Sequence, residues 1–372
     1  MSDIAVVGGG VIGLAVARSC AAAGADVTVL DRAPISGASS VAAGMLAPVT
    51  ELHYGERALL QLNLESAAMF GGWVGELERE TGLRTGYRET DTIMVAADAD
   101  ENAALAEVWR FQSSLDLPVE RLKGAEARSL EPALSPRVRG AVLVRGDHQV
   151  EPRLLADALL ASCRLRGVSF IADHAASVES IAGRVSGVTL RSGGGIRASA
   201  VVIAAGYASA DIGGLEPLLR VRAVKGQLLE LASPDGSDLV QRNVRGHDVY
   251  LVPRVGGRLI VGATVEERSD KMVTAGAVFD LLRDAHELVP GIGEMTLVEA
   301  RAGLRPGTPD NGPLLGATEI DGLVVATGHF RNGVLLAPVT AQSIAELLSS
   351  GRAPESIRPF SPLRFEKVEV EA

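Results

Sequence analysis

The chain has 372 residues, more than one hydrophobic core ordinarily serves, so two domains are expected. Hydrophobic residues at 47% and charged residues at 22% describe an ordinary globule, and a net charge of −10 with 3% aromatic residues excludes a basic, aromatic-lined nucleic-acid groove. Acidic Asp3 stands where a secretory leader needs positive charge, and no apolar run reaches the roughly 18 residues of a membrane span. Cytoplasmic residence with no membrane partner is therefore expected.

The first elements are the most informative. Residues 4–7 read as a buried strand, 11–23 as a helix without proline, and 27–30 as a second strand closed by Asp31. Between strand and helix stand Gly8, Gly10 and Gly13. In this setting Gly8 permits a tight turn, Gly10 lets the backbone approach a pyrophosphate, and Gly13 lets the helix pack on the sheet. The helix's free amides then face the negative charge. The acid at residue 31 suits an unmodified ribose and points to FAD or NAD, although its basic neighbour Arg32 weakens the case against a 2′-phosphate.

Further along, residues 153–170 read as helix then strand, and 185–190 and 195–204 as strands. The run VVIAAG ends at Gly206, either a small-residue crevice edge for a cofactor or a plain strand and turn. Residues 87–96 and 222–265 carry hairpin signals without crossover helices and are expected to form an antiparallel sheet, with residues 273–288 as a helix beside it. From 321 to 351 the pattern returns to strand, glycine turn and helix. The expected fold is α/β, a Rossmann-like cofactor domain assembled from residues 1–85, 145–215 and 300–372. A mainly antiparallel α+β substrate domain is built from 86–144 and 216–299. Cys20 and Cys163 fall on apolar helical patterns and are expected to be buried packing residues, and the six histidines show no ligand spacing, so no metal is implied.

Several stretches carry a likeness across nearly the whole chain: DIAVVGGGVIGLAVA at the start, GASSVAAGMLAP at 37–48, YLVPRVGGRLIVGAT at 250–264, AGLRPGTPDNGPLLG at 302–316 and GHFRNGVLLAP at 328–338. With these the chain resembles the D-amino-acid oxidase family of FAD-dependent amine oxidoreductases, and within it the glycine oxidases associated with thiamine biosynthesis. The resemblance implies non-covalent FAD and an amine substrate beside a carboxylate, such as glycine, sarcosine or a small D-amino acid. A hydride would pass from the alpha carbon to flavin N5, giving the 2-oxo acid, ammonia or an amine, and hydrogen peroxide from molecular oxygen. It further implies that Val11 and Ile12 flank the pyrophosphate and that Asp31 and Arg32 meet the ribose. Ala38, Ser39, Ser40, Ala43, Gly44 and Met45 would line the flavin, and Val178 would touch adenine. His329, Phe330, Arg331, Asn332, Gly333, Val334 and Leu335 would wrap the pyrimidine end, and Arg305 and Arg331 would bind substrate. A homo-oligomer, dimer or tetramer, is expected. Some glycine oxidases carry methionine after the GAT triplet, where this chain has Val265.

The residues bear this chemistry individually. Arg305, set against Pro306, offers a rigid fork that grips a carboxylate through two parallel charged hydrogen bonds, the competing assignment being a surface arginine. Tyr250 alternates inward with Val252 and can donate to the same carboxylate, or else serves packing. Arg331 and His329 are placed at the start of the last helix, where outward amides stabilise charge on the flavin. For Arg331 a salt-bridged structural role stays open, as does plain core packing for Met45. His53 and His148 are expected at the surface, and no general base is assigned because a clamped amino acid needs none. Two other readings stand beside this one: a related D-amino-acid dehydrogenase delivering electrons to a quinone, and a non-catalytic dinucleotide-binding or tRNA-modification scaffold.

Overall fold

A computed structural model describes residues 2–215 and 218–368. The strand Ser2–Val7, fully buried from Ile4 onward, lies between parallel neighbours Val27–Leu30 and Gly195–Ile203, with Ser169–Ile171 and Leu323–Thr327 extending the parallel sheet outward. Such near-continuous apolar strands belong to a sheet covered on both faces. One face carries the helices Val11–Ala22, Arg57–Thr81, Pro152–Leu165 and Ala337–Ser350, whose Leu14, Phe70, Leu155 and Ile344 share one core. On the other face the antiparallel strands Ala175–Ile181 and Arg184–Leu190 fold over, burying Val185 and Val188.

The second sheet has eight strands, running from the edge strand Thr296–Gly307 through Arg222–Ala232 and the hairpin of Tyr250–Arg254 with Arg258–Gly262, and on to the strands of residues 92–144. The helix Ala275–Leu288 packs Leu281 and Ala285 against it. Its start is set by Thr274, whose hydroxyl accepts from the amide of Ala277, so it begins two residues later than the apolar pattern suggests. The expectation of an antiparallel sheet needs one correction: Asn243–Arg245 pairs with Thr92–Ala96 in parallel, making the sheet mixed. The two strands are far apart in the chain, so no turn length dictates their direction.

A second correction concerns the last helix. It begins at Ala337, whereas residues 330–336 form turns, with Gly328 at φ 75° and Phe330 at φ 46°. The helix Arg57–Thr81 and the strand pair Val119–Lys123 with Gly140–Val144 carry no motif, and nothing was expected of them. Between the two sheets sits a small apolar junction, Ala43, Leu228, Val252 and Ile260, against which Met45 and Tyr250 pack. No helix among the described residues is long and apolar enough to cross a membrane.

Candidate active site

A cleft of about 960 Å³ runs from the carboxyl ends of the parallel strands to the second sheet. Ligands of doubly wound sheets bind at that edge, and the volume lies at the upper end of the range of small-molecule sites. Gly8 has φ 116°, and a Cβ there would lie 2.3 Å from the carbonyl oxygen of Ala204; a Cβ on Gly13 would lie 1.9 Å from that of Gly8. These two glycines let the turn and helix close on the sheet, and Gly13 itself does not line the cleft. Gly10, Val11 and Ile12 do. The amide of Val11 donates to Ser39 Oγ at 3.0 Å, while those of Ile12 and Gly13 meet no protein acceptor among the described residues. With no acidic residue in the first turn, this end of the helix fits a pyrophosphate.

Asp31 and Arg32 line the next stretch. The Asp31 carboxylate accepts from the amides of Gly9 at 2.6 Å and Ala33 at 2.8 Å, one on each oxygen, leaving lone pairs for hydroxyl donors. Beyond it lie Asp173, His174, Ala175 and Arg191, which the sequence reading did not select. Val178, expected at the adenine, instead packs against the core beneath the sheet, outside the lining. Gly206, at φ 60°, lines the opposite wall.

The segment expected to line a flavin is held from behind. Ala38, Ser39, Ala43, Gly44 and Met45 line the cleft; Ser40 does not, since its hydroxyl turns back to the carbonyl of Gly37 at 2.8 Å. Gly44 has φ 74°, and a Cβ there would lie 2.0 Å from Val150 O. Arg254, 3% exposed, donates to the carbonyl of Ala43 and to Gln149 Oε1, and burial pushes its pKa down to about 10. Sequence reasoning passed over Arg254, yet it continues the inward alternation of Tyr250 and Val252.

On the far side, His329, Phe330, Arg331, Asn332, Gly333 and Val334 line the cleft, with Leu335 buried behind them. The amides of Gly333, Val334 and Leu335 meet no acceptor among the described residues, so this turn presents donors without being a helix start. His329 is 3% exposed, shares a 3.0 Å hydrogen bond with Thr340 Oγ1, and is pushed down by burial to about 3. It is therefore neutral.

Where the cleft meets the second sheet Arg305 anchors one arm: Nη1 donates to the carbonyls of Thr264 at 3.0 Å and Lys225 at 3.4 Å. Its guanidinium lies directly over Gly226, where a Cβ would come within 2.2 Å of Nη1. No carboxylate pairs with Arg305 among the described residues. Tyr250 faces it; burial raises the phenol's pKa, and Arg305 partly offsets this. A Cβ on Gly262 would lie 2.7 Å from the Tyr250 ring.

Arg331 is differently placed. Its Nη2 donates to Glu56 Oε2 at 2.7 Å and its Nε lies 3.2 Å from Glu51 Oε2, so it is ion-paired at the cleft wall. Glu51 also accepts from Arg245. Burial would raise the Glu51 carboxyl, but Arg245 and Arg331 together hold it below the usual carboxylate range. Neither Glu51 nor Arg245 was selected from sequence; the only signal was a charge following the apolar run GMLAPVT. His53 is exposed but lines the cleft, and burial lowers its pKa. His148, expected at the surface, is half-buried edge-on to Tyr87 because its strand pairs with Met45–Leu46. Val265, 68% exposed, stands at the rim. Cys20 and Cys163 are both buried away from the cleft.

Comparison with known proteins is consistent along the chain. A family model described as FAD dependent oxidoreductase matches residues 3–347. The glycine oxidase of Geobacillus kaustophilus is 37% identical over 377 residues, covering 99% of both chains. The crystal structure of glycine oxidase from that organism superposes with a TM-score of 0.92 at 35% identity over 98% of each chain. The bifunctional protein ThiO/ThiG of Synechocystis sp. is 36% identical over 98% of this chain, which spans 54% of that longer relative.

Proposed function

This chain belongs to the family of FAD-dependent oxidoreductases that includes the glycine oxidases, and from that premise we propose that it oxidises glycine and other small amino acids to the 2-oxo acid and ammonia, or an amine, with release of hydrogen peroxide. The carrying observation is Arg305, a guanidinium in the cleft with one arm anchored on carbonyls and no carboxylate partner among the described residues. Its remaining donors suit the carboxylate of an amino acid, and Tyr250 beside it supplies a hydroxyl. FAD, held in this cleft without a covalent bond, would supply the two-electron acceptor between the substrate and dioxygen.

The protein's own part is placement. The unpaired amide of Ile12 at the helix start receives the pyrophosphate, and Asp31 receives the ribose. Those of Gly333, Val334 and Leu335 favour negative charge at the opposite end of the ring system. Arg305 and Tyr250 fix the substrate so that its alpha carbon faces the ring, which accounts for the absence of an assigned base. Val252, Leu228 and Ile260 keep this junction dry. Likeness to a ThiO/ThiG fusion supports a role in forming the thiazole of thiamine.

The cofactor domain in this reading comprises residues 1–85, 145–215 and 300–372, and the substrate domain 86–144 and 216–299, except that Thr296–Gly307 pairs throughout with Arg222–Ala232 in the second sheet and carries that boundary past residue 307. Homo-oligomerisation is part of the same proposal. It is supported by the edge strand Thr296–Gly307, where Leu297 and Val298 are 47% and 57% exposed. Light scattering of the purified protein tests it, a monomer refuting it.

A peroxide-coupled turnover screen over glycine, sarcosine, D-alanine and D-proline tests the activity, with the visible spectrum reporting bound flavin. Turnover on glycine is expected. Failure of every one of these amino acids to bleach the flavin anaerobically would overturn the reading. Bleaching followed by indifference to air would replace dioxygen with another acceptor.

A further inference from the structure

Of the five arginines that line the cleft, Arg32 and Arg191 lie on the Asp31 side, and three, Arg245, Arg305 and Arg331, lie toward the second sheet. Their partners divide them sharply. Glu51 takes Arg245 on one carboxylate oxygen and Arg331, 3.2 Å from Nε, on the other. Glu56 takes Arg331 from the opposite side at 2.7 Å and is itself held by Asn311 Nδ2 at 3.0 Å. Two carboxylates thus neutralise two of these three arginines, and of the three Arg305 keeps its charge for a ligand.

The clamp is built rather than incidental. The Glu51 and Arg331 side chains are each 16% exposed and that of Arg245 is 21% exposed. The chain carrying Glu51 is fixed just upstream, where buried Asp147 accepts from the amides of Val49 at 3.1 Å and Thr50 at 2.9 Å. The carbonyl of Glu51 accepts from Arg331 Nη2 at 3.3 Å. Arg331 Nε is buried with no well-aligned acceptor, so a donor waits behind Glu51.

We propose that Glu51 sets the substrate class of this site, restricting it to amino acids with a single carboxylate by occupying the two arginines that a second carboxylate would need. The proposal rests on the amino-acid oxidase reading above. A dicarboxylic substrate, with one acid group on Arg305, brings its other acid group against the fixed negative charge of Glu51 and finds both neighbouring guanidinium groups, Arg245 and Arg331, already paired. Repulsion and an unpaired charge together reject it. Neutralising Glu51 removes the repulsion and releases Arg245 and one face of Arg331.

The holoenzyme is assayed with glycine, iminodiacetate and D-aspartate, alongside Glu51→Gln. Wild type is expected to favour glycine over either dicarboxylate by about 100-fold or more in kcat/KM. In Glu51→Gln that preference is expected to shrink by about tenfold or more, the effect of one charge-assisted hydrogen bond gained and one repulsion lost. An unchanged preference overturns the proposal, as does a wild type that accepts a dicarboxylate within about threefold of glycine. Should the variant fail to fold or hold FAD, wild type still decides through its non-reacting ligands. Acetate and malonate are titrated against the bound flavin's visible spectrum; comparable affinities support the clamp, and malonate binding about tenfold tighter refutes it. A wild type that oxidises no amino acid defeats the functional reading, while the acetate and malonate titration still reports on Glu51.

Discussion

Replacing Arg305 by lysine isolates the fork from the charge. In the fold, Nη1 is committed to the carbonyls of Thr264 at 3.0 Å and Lys225 at 3.4 Å, so Nη2 and Nε are the donors left for substrate. Lysine brings one ammonium on a flexible stem, which cannot satisfy these carbonyls and also grip a carboxylate through two parallel bonds. At least one charge-assisted hydrogen bond to the substrate is lost, about 1.5–3 kcal/mol. That corresponds to a fall of roughly 10- to 150-fold in kcat/KM for glycine. Because the clamp holds substrate and transition state alike, most of the loss is expected in KM, with a smaller fall in kcat from imperfect placement of the alpha carbon. Peroxide-coupled steady-state kinetics at saturating FAD measures it. A kcat/KM within about twofold of wild type would remove Arg305 from the site.

Gly226→Ala approaches the same fork without altering any charge. The added methyl would stand 2.2 Å from Nη1 and 2.4 Å from Cζ of Arg305, so the guanidinium must swing away. A fall of about 100-fold in kcat/KM is expected with FAD affinity retained, and normal kinetics in the folded variant would show that the fork does not need that position. Asp31→Asn removes the negative charge that holds the Gly9 and Ala33 amides and that is proposed above to receive the ribose. Fluorescence titration of apoprotein should show FAD weakened by about tenfold or more, while an unchanged Kd would detach Asp31 from the cofactor. His329 stays neutral in the fold down to about pH 3, whereas the unfolded chain protonates it below its ordinary value of 6.5. Its contribution is whole above pH 6.5 and is lost as pH falls toward 3, up to about 5 kcal/mol. Urea unfolding at pH 7 and pH 4 should therefore show a smaller pH-dependent loss in His329→Asn than in wild type; equal losses would contradict the buried neutral imidazole.

The beginning of the chain was legible because its information is local. Gly8, Gly10 and Gly13 sit within one strand, turn and helix, and the apolar run before them is nearly all buried. The hairpin carrying Tyr250 was readable for the same reason, since alternation and turn length act over a few residues. The direction of Asn243–Arg245 against Thr92–Ala96 was not, because their pairing is long-range. Nor was the start of the last helix, where left-handed residues at Gly328 and Phe330 precede a run of turns. Val178 fell outside the cleft for a similar reason: a one-strand neighbourhood does not say which end of the strand reaches the crevice.

By itself the amino-acid sequence determined the backbone grammar of this protein: where glycine opens the crevice, which strands are buried, and which arginines stand near a turn. Tertiary structure alone decided which arginine remains free to bind. Arg331 meets Glu51 and Glu56 across separations of 280 and 275 residues, while Arg305 finds only carbonyls and a phenol. Ion pairing acts over a few ångströms of space, and the chain's order places no limit on which charges come that close.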